Sequence, residues 1–228
     1  MTAVVLQARL DSSRLSGKAL LPLGDRPIVF RVMEALAFLP SEKKILACPE
    51  DSVSAFAPLA DEAGFILVPG PKEDVLARYC LAIRKSGADR VIRATADNPF
   101  VFIDAAGAIE SEGAALGADY AGYSGLPVGA GVESVASDAL LRAEREAKDP
   151  YEREHVCPYL YRHPELFRLH RPLAPKLWQG PDCRITVDTK EDYDRARSLY
   201  ESLSSLPLEK RNLGENVLSA CGSLWRGE

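Results

Sequence analysis

The chain has little that would suit binding to nucleic acid, insertion into a membrane or a network of disulfides. Its 28 Lys and Arg residues are outnumbered by 33 Asp and Glu residues, and the net charge of −5 lacks the basic excess of a general nucleic-acid-binding protein. No apolar run approaches the roughly 20 residues that span a bilayer. The five cysteines are odd in number and lack C-x-x-C spacing, which argues against disulfides and a structural zinc site. We therefore expect a cytoplasmic protein with no nucleic acid and no membrane as a partner.

Two common nucleotide-binding motifs are also missing. Where G-x-x-x-x-G-K-[ST] would require Ser or Thr, Gly17-Lys18 is followed by Ala19, and Ser12 stands where the first glycine is expected. No G-x-G-x-x-G follows the first apolar run. The sequence thus disfavours a P-loop kinase or GTPase and gives no support to NAD or FAD binding.

Strand-like and helix-like segments alternate along the first half of the chain. Short apolar runs predict buried strands, and apolar residues at helical spacing predict helices between them. This alternation predicts an α/β fold with a doubly wound, mainly parallel sheet. Since no internal repeat or linker divides the chain, we expect residues 1–228 to form a single domain. The predicted strands are the run starting at Val4, then Lys44–Cys48, Phe65–Val68 and Arg90–Thr95; the helices are Pro27–Leu39, Val53–Ala63, Glu73–Lys85 and Ile103–Ala115.

The regular alternation falters in the second half, where a glycine-rich loop covers Ser124–Gly131. The pattern there predicts short strands, including an edge strand at 166–169 and a last strand at Arg184–Val187. Thr189 is a candidate N-cap of the helix that follows it. The full set comprises strands 119–123, 132–135, 166–169 and 184–187, helices 138–147, 152–162 and 191–202, and a helical tail from Leu208.

A basic segment follows the first predicted strand and carries Arg9, Arg14 and Lys18 among small residues. In open α/β sheets the ligand lies beyond the carboxyl ends of the strands, so these cations should face whatever is bound. Arg presents a planar fork to phosphate oxygens and Lys a compact charge, and small residues let backbone N–H groups approach. The loop therefore predicts an anionic ligand such as a triphosphate. The alternative is a surface loop whose cations only keep it solvated.

Two carboxylates follow later strands, Asp97 after the strand at 90–95 and Asp188 after the strand at 184–187. Carboxylates delivered to the rim that carries the basic loop are what is needed to hold Mg²⁺ between protein and phosphate. The alternatives are that Asp97 caps a turn and Asp188 caps the last long helix. The only D-x-D triplet, Asp192-Tyr193-Asp194, falls within that helix and is interpreted as a solvated face. Near another helix start, Arg153 and His155 are candidates for contact with a second substrate.

The pattern Gln7-Ala8-Arg9-x-x-Ser12-Ser13-Arg14-Leu15-x-Gly17-Lys18 resembles the opening of sugar cytidylyltransferases. It is most similar to the spore coat polysaccharide biosynthesis protein F family, relatives of the KDO and sialic acid cytidylyltransferases. The resemblance implies a Rossmann-like, GT-A-like nucleotidyltransferase fold with a small β-containing substrate or dimerisation appendage at 120–173, and a homodimer. Further matching motifs are Glu73-Asp74-Val75-Leu76-x-Arg78-Tyr79, Asp97-x-Pro99, Pro127-x-Gly129 with Glu133, Glu152-x-Glu154-His155-Val156 and Thr186-Val187-Asp188-x-x-x-Asp192.

The resemblance also implies a reaction, in which a sugar-acid hydroxyl attacks the α-phosphorus of CTP and gives a CMP-sugar and pyrophosphate. It assigns Mg²⁺ to Asp97 and Asp188, and catalytic contacts with the CTP phosphates to Lys18, Arg9 and Arg14. The implied CTP-binding set is Gln7, Ala8, Arg9, Ser12, Ser13, Arg14, Lys18, Arg78 and Thr95, and the implied acceptor-binding set is Asn98, Gly129, Glu133, Arg153 and His155.

The chain departs from the family pattern in the loop expected to face the sugar. Val128 and Gly131 stand where relatives carry acids, Ser16 replaces a proline, and Ala96 replaces a glycine. Two alternatives to a cytidylyltransferase stay open at this point, and the missing acids motivate the second of them. One is a glycosyltransferase that uses a nucleotide-sugar donor, and the other is a nucleotide-binding protein without catalytic activity.

Overall fold

The computed structural model describes residues 1–12, 14–180 and 182–225, and of Trp225 the backbone only. Ser13, which the resemblance places among the CTP-binding residues, lies outside the described residues. In the described part of the chain, no helix has both the length and the apolar character needed to cross a bilayer.

The described residues form one central seven-stranded sheet and a small two-stranded one. Across the central sheet the strand order is β5-β4-β1-β6-β8-β7-β9. Its first four strands are parallel to one another, whereas β8 runs antiparallel to both of its neighbours, β6 and β7. The strands are β1 (Thr2–Gln7), β2 (Pro22–Leu23), β3 (Arg26–Pro27), β4 (Lys43–Pro49), β5 (Ile66–Gly70), β6 (Arg90–Thr95), β7 (Tyr120–Ala121), β8 (Glu133–Ala136) and β9 (Leu169–His170).

Helices cover both faces of the central sheet, as predicted for a doubly wound fold. One hydrophobic cluster joins the sheet to α1, α2, α4, α8 and α10, and the other joins it to α3, α5 and α7. The helices are α1 (Ile28–Leu36), α2 (Val53–Glu62), α3 (Val75–Ser86), α4 (Ile103–Ala115), α5 (Ser137–Glu146), α6 (Pro150–His155), α7 (Pro158–Arg162), α8 (Lys190–Leu203), α9 (Leu208–Arg211) and α10 (Gly214–Trp225).

The central strand β1 is apolar on both faces. Ala3 and Val5 belong to one hydrophobic cluster and Val4 and Leu6 to the other, and all four side chains are fully buried. Near-continuous apolar runs of this kind are typical of parallel strands covered on both sides. From β1 the chain moves to β4 and β5 on one side, then returns to β6 on the other side. The carboxyl ends of β1 and β6 therefore form the topological switch point, where α/β sheets bind ligands.

The predicted strand at Arg184–Val187 is wrong. In the structure this segment is extended but makes a single parallel bridge, between Arg184 and Val128, and joins no named strand. Its backbone is instead held by the loops beside it: Ile185 N–H donates to Val128 O, and Val187 N–H donates to Asp97 O. The residues have strand propensity, but loops rather than a neighbouring strand take up their hydrogen bonds.

The single helix predicted over 152–162 is also wrong, because the chain forms α6 and α7 with a break between them. Val156 adopts φ 75° and ψ −62°, and Cys157 N–H donates to His155 O across it. These angles define a γ-turn of the strained type, which is a clear outlier for a β-branched residue. Pro158 lacks a backbone N–H and stands at the start of α7, where no intrahelical donor is needed.

Residues 120–173 contribute β7, β8 and β9 to the central sheet and α5 to α7 to the layer around α3. The edge strand predicted at 166–169 forms at Leu169–His170 instead. The assignment of this segment as a substrate and dimerisation insertion stays a prediction.

Candidate active site

A polar cleft lies at the switch point, beyond the carboxyl ends of β1 and β6. Its cavity volume is about 320 Å³. The cleft brings together most of the residues that the sequence predicts to bind a nucleotide and a metal ion. The lining residues are Gln7, Ala8, Arg9, Ser12, Arg14, Lys18, Ala19, Val75, Arg93, Thr95, Ala96, Asp97, Glu154, His155 and Asp188.

Lys18 occupies the centre of the cleft's charged end. Its Nζ donates hydrogen bonds to Asp97 Oδ2 at 2.8 Å and to Asp188 Oδ1 at 2.9 Å. A third hydrogen bond goes to Val187 O at 3.0 Å. The ammonium is largely buried, with 14% of the side chain exposed, so water screens these contacts only weakly. Two carboxylates 91 positions apart in sequence thus converge on one cation.

Asp188 is held on its second oxygen as well. Arg184 Nη2 donates to Asp188 Oδ2 at 2.6 Å, and Arg14 Nη2 lies 2.9 Å from Oδ1. Burial acts to raise the pKa of the Asp188 carboxyl, but the hydrogen bond and charge of Lys18, the charge of Arg14 and the hydrogen bond from Arg184 outweigh it and lower the pKa. Asp188 therefore stays ionised in the cleft at neutral pH.

Asp192 anchors the segment that carries Asp188. Its Oδ2 accepts from the backbone N–H groups of Asp188 and Thr189, and the side chain also binds Arg184 and Arg195. Burial opposes ionisation of Asp192, yet these partners lower its pKa to about 2. The interpretation of Asp192 as part of a solvated face is wrong, because only 3% of its side chain is exposed. Thr189, and not Asp188, caps α8, through a reciprocal capping box with Asp192.

The other two cations of the basic loop line the cleft mouth. Arg14 is 62% exposed and approaches Asp188 from the solvent side. Arg9 Nη1 lies 3.7 Å from Glu154 Oε1 on the opposite wall, with both side chains about half exposed. His155 follows Glu154 in the lining and stacks its ring 4.2 Å from that of Tyr151. Each cation of the loop therefore faces a carboxylate that a bound anion could replace.

The donor set suits a hard divalent cation that is shared with a ligand. Asp97 and Asp188 offer oxygen ligands to one point, where the Lys18 ammonium now lies. Among residues 1–12, 14–180 and 182–225, no group of three or more His, Cys, Asp or Glu side chains is placed to hold a metal. Two protein carboxylates leave the remaining coordination positions to waters and substrate phosphates, which is the usual arrangement for Mg²⁺.

A second cavity of about 260 Å³ adjoins the cleft and shares Arg93 and Thr95 with it. Its walls also include Asn98, whose Nδ2 donates to Thr95 Oγ1, and Glu133. Of the predicted acceptor-binding residues, Asn98 and Glu133 line this cavity and His155 lines the cleft. The remaining lining residues are Ala94, Tyr120, Gly122, Tyr123, Gly131 and Val132.

Three predicted site residues are not brought to either cavity. Arg78 is fully buried on α3 and donates to Pro71 O and Lys72 O. Arg153 binds Asp74 and the backbone oxygen of Glu144, and so joins α6 to the start of α3. Gly129 has φ 98°, and a Cβ there would lie 2.6 Å from Thr186 N, so glycine is needed for a close backbone approach.

Sequence reasoning missed Arg93 and Glu154 as lining residues. Arg93 alternates with Val91 and Thr95 on one face of β6, the face that continues into the cleft. Arg93 lies in the middle of the strand between Ile92 and Ala94, where an arginine is expensive to bury unless it is paired, and this signal was available in the sequence. Glu154 had no such signal, because its placement depends on the break after α6.

A doubly wound sheet whose switch point carries a cation loop and two converging carboxylates suits a nucleotide-binding α/β protein, and the family match makes this one a nucleotidyltransferase. The chain belongs to the cytidylyltransferase family, since the model of that family, described as Cytidylyltransferase, matches residues 3–215. It is 31% identical over 210 residues to the spore coat polysaccharide biosynthesis protein SpsF of Bacillus subtilis, covering 89% of this chain and 88% of that protein. The family resemblance and the fold class inferred from the sequence are thereby confirmed.

Solved structures agree on the fold. A cytidylyltransferase from Leptospira borgpetersenii superposes with a TM-score of 0.85 at 22% identity, covering 99% of this chain and 94% of that one. A CMP:2-keto-3-deoxy-manno-octonic acid synthetase solved with CTP superposes with a TM-score of 0.68 at 17% identity, covering 88% of this chain and 98% of that one.

Proposed function

We propose that the protein transfers CMP from CTP to the hydroxyl of a sugar acid, of the nonulosonic or KDO-like class, for surface polysaccharide or glycan synthesis. The acceptor oxygen forms a bond to the α-phosphorus, the bond from that phosphorus to the β-phosphate oxygen breaks, and pyrophosphate leaves. The hydroxyl proton passes to water. The single observation that carries this proposal is the convergence of Lys18, Asp97 and Asp188 in the cleft at the switch point.

In this proposal the triphosphate replaces the carboxylates that now neutralise the basic loop. Lys18, Arg14 and Arg9 bind phosphate oxygens, while Asp97 and Asp188 hold a divalent cation, which we assign as Mg²⁺. When bound, that ion supplies positive charge to the phosphate oxygens as charge moves to the leaving pyrophosphate. A divalent ion is further supported by a structural neighbour, Rv0371c from Mycobacterium tuberculosis, solved in complex with manganese (TM-score 0.60). The protein forms no covalent bond, and catalysis rests on alignment and charge neutralisation.

The second cavity is assigned to the acceptor, with Asn98 and Glu133 among its walls. The relative SpsF supports a role in polysaccharide synthesis by its name, and the CTP-bound synthetase supports a keto-deoxy sugar acid by its own. Ser12, Gln7, Ala8 and Thr95 line the cleft and are assigned to the nucleotide. Homodimer formation and a cytoplasmic location stay predictions.

The proposal is tested by pyrophosphate release. The protein is incubated with CTP, Mg²⁺ and a panel of nonulosonic and KDO-type acids, with UTP, ATP and GTP as nucleotide controls. We expect release with CTP and at least one acid. If calorimetry shows CTP binding but no acid gives pyrophosphate release, the non-catalytic alternative is selected. The observation that favours this alternative is the presence of Val128 and Gly131 in place of two acids. A preference for intact UDP- or GDP-sugars over CTP selects the glycosyltransferase.

A further inference from the structure

Arg93 is the only charged residue, within the described ranges, that lines both the nucleotide cleft and the second cavity. The other shared residue is Thr95, whose hydroxyl donates to Asp97 Oδ1 at 2.7 Å. If one substrate occupies each cavity, as the proposed function requires, the reacting atoms meet where the cavities join. That junction is bounded by the Arg93 guanidinium.

The guanidinium is fixed in place by its neighbours. Arg93 and Glu133 are directly opposite residues on the antiparallel strands β6 and β8, and Nη1 donates to Glu133 Oε2 at 2.5 Å. The second oxygen of Glu133 accepts from the Tyr120 hydroxyl at 2.9 Å. The guanidinium also lies over the ring of Tyr79, 5.7 Å from its centroid. Both side chains of the pair are therefore held before any ligand binds, which lowers the ordering cost of binding.

Arg93 keeps an unused donor in this setting. Its Nε is buried and, within the described residues, has no hydrogen-bond partner. Burial acts to lower the pKa of the guanidinium, but the Glu133 carboxylate outweighs it and raises the pKa, so the side chain stays charged. Because Nε exposes almost no surface, a ligand at the junction would instead meet Nη2, which makes no hydrogen bond to the described residues and is not fully buried.

A purely structural role explains the pair poorly. The neighbouring cross-strand pair, Val91 with Val135, is apolar and fully buried. Buried ion pairs contribute little more stability than well-packed apolar residues of similar volume. A charged pair at the position that borders both cavities is therefore better explained by ligand binding than by the stability of the sheet.

We propose that Arg93 is a catalytic residue that binds the α-phosphate of the nucleotide at the junction, with Glu133 as the positioning residue that aims it. This inference rests on the proposed function. The loop cations Arg14 and Lys18 lie at the charged end with the two carboxylates, and we assign the β- and γ-phosphates to that end. Arg93 then supplies the charge that neutralises the α-phosphate oxygens while the acceptor oxygen approaches from the second cavity. Electrostatic stabilisation of this kind in a water-poor site is typically the largest catalytic contribution.

The test separates contact with the phosphate from support of the fold. The variant Arg93→Gln/Glu133→Gln removes both charges and so leaves no uncompensated buried charge. The matched control is Arg84→Gln/Glu144→Gln, which neutralises an ion pair between α3 and α5 that lines neither cavity. Calorimetry with cytidine and with CMP as probes measures the gain in affinity that the α-phosphate provides, and thermal melting monitors the fold.

For the Arg93 pair variant we expect melting and cytidine binding close to those of the wild type and of the control pair. We expect CMP affinity to fall at least tenfold, and this result decides the test. Turnover with CTP should fall about 100-fold or more, but Glu133 also lines the acceptor cavity and contributes to that loss. CMP affinity equal to that of the wild type overturns the inference. A loss of turnover that is fully accounted for by a lower melting temperature overturns it as well. If the wild type binds no CTP, both the proposed function and this inference are overturned. If the wild type binds CMP and the Arg93 pair variant binds it equally well, only the inference about Arg93 is overturned.

Discussion

The Lys18 ammonium lies 2.8 Å from Asp97 Oδ2, although 79 positions of chain separate the two residues. The basic loop after β1 supplies the cation, and the turn after β6 supplies the carboxylate. The pairing exists because β1 and β6 are adjacent parallel strands with Gln7 opposite Thr95, so their carboxyl ends lie side by side. Without a ligand, the cation that would bind phosphate neutralises the acid that would bind metal.

Loss of either carboxylate should therefore stop turnover. We expect Asp97→Asn and Asp188→Asn each to lower kcat/KM for CTP about 100-fold or more, since a lost charge contact in such a site is worth about 3 kcal/mol. Asp89→Asn is the control, because Asp89 lies just before β6, at the opposite edge of the sheet, and pairs with the N-terminal amine. Pyrophosphate release measured over a range of Mg²⁺ concentrations checks the prediction, and near-normal rates in both site variants would contradict it.

Glu154 should compete with the nucleotide for Arg9. The pair is 3.7 Å apart and about half exposed, so it is worth less than about 1 kcal/mol. Replacing Glu154 by Gln frees Arg9, and we expect the KM for CTP to fall about two- to fivefold at low salt. The difference should shrink as NaCl is raised. Glu165→Gln serves as the control. It is an exposed substitution that removes a pair with His163, and it should leave KM unaltered.

Asp192 should stabilise the fold above acidic pH. Its pKa is about 2, against an ordinary value of 3.8, so the stabilisation is complete above about pH 4 and is lost as the pH falls toward 2. A shift of this size corresponds to about 2 kcal/mol. Urea unfolding at pH 6 should show Asp192→Asn less stable by that amount, with the gap to the wild type closing in acid. Asp194→Asn, which removes an exposed pair with Lys190, should cost less than about 0.5 kcal/mol.

At Val156 we expect a glycine substitution to be at least as stable as an alanine substitution, which is the reverse of the usual order. The side chain is fully buried, so either substitution loses packing, but only glycine also releases the steric strain of φ 75°. Such strain costs about 1–3 kcal/mol. We expect Val156→Gly to melt at or above the temperature of Val156→Ala. A clearly lower melting temperature for the glycine variant would mean that the γ-turn stores no strain.

Gly129→Ala should disturb the site indirectly. The added Cβ would lie 2.6 Å from Thr186 N, in the segment whose next residues hold Lys18 and Asp97. We expect lower stability and lower kcat together, because the 184–188 segment must shift. Gly107→Ala is the matched control: Gly107 lies within α4 with open space around its Cα, and alanine there should stabilise by about 0.5–1 kcal/mol. Melting curves and initial rates of both variants provide the comparison.

Local patterns predicted the regular half of the fold closely. β6 at Arg90–Thr95 and α4 at Ile103–Ala115 form with the bounds that their apolar spacing indicates. The basic loop and the two carboxylates were expected at one rim, and the structure brings them together, because parallel strands deliver their ends to the same edge. The functional roles assigned to them stay predictions.

The remaining features depend on tertiary contacts that the local sequence does not encode. Arg184–Val187 has the composition of a strand, but neighbouring loops take its hydrogen bonds. Arg78 matches a family motif, yet its burial under the turn at Pro71 could not be inferred from that motif. Arg93 differs from these two, because a charged residue in the middle of a buried strand is visible in the sequence itself.

Because β8 reverses the strand direction, the two cavities are lined by separate stretches of the chain. The nucleotide side is made mainly from residues before 98 with Asp188, whereas the walls of the second cavity come largely from 120–133. If the second cavity takes the acceptor, as proposed, substitutions at Gly131 or Val132, which line it and not the cleft, should alter which acceptor fits. On the proposed function, the segment 120–133 is the part of the chain to exchange when a different CMP-sugar product is wanted.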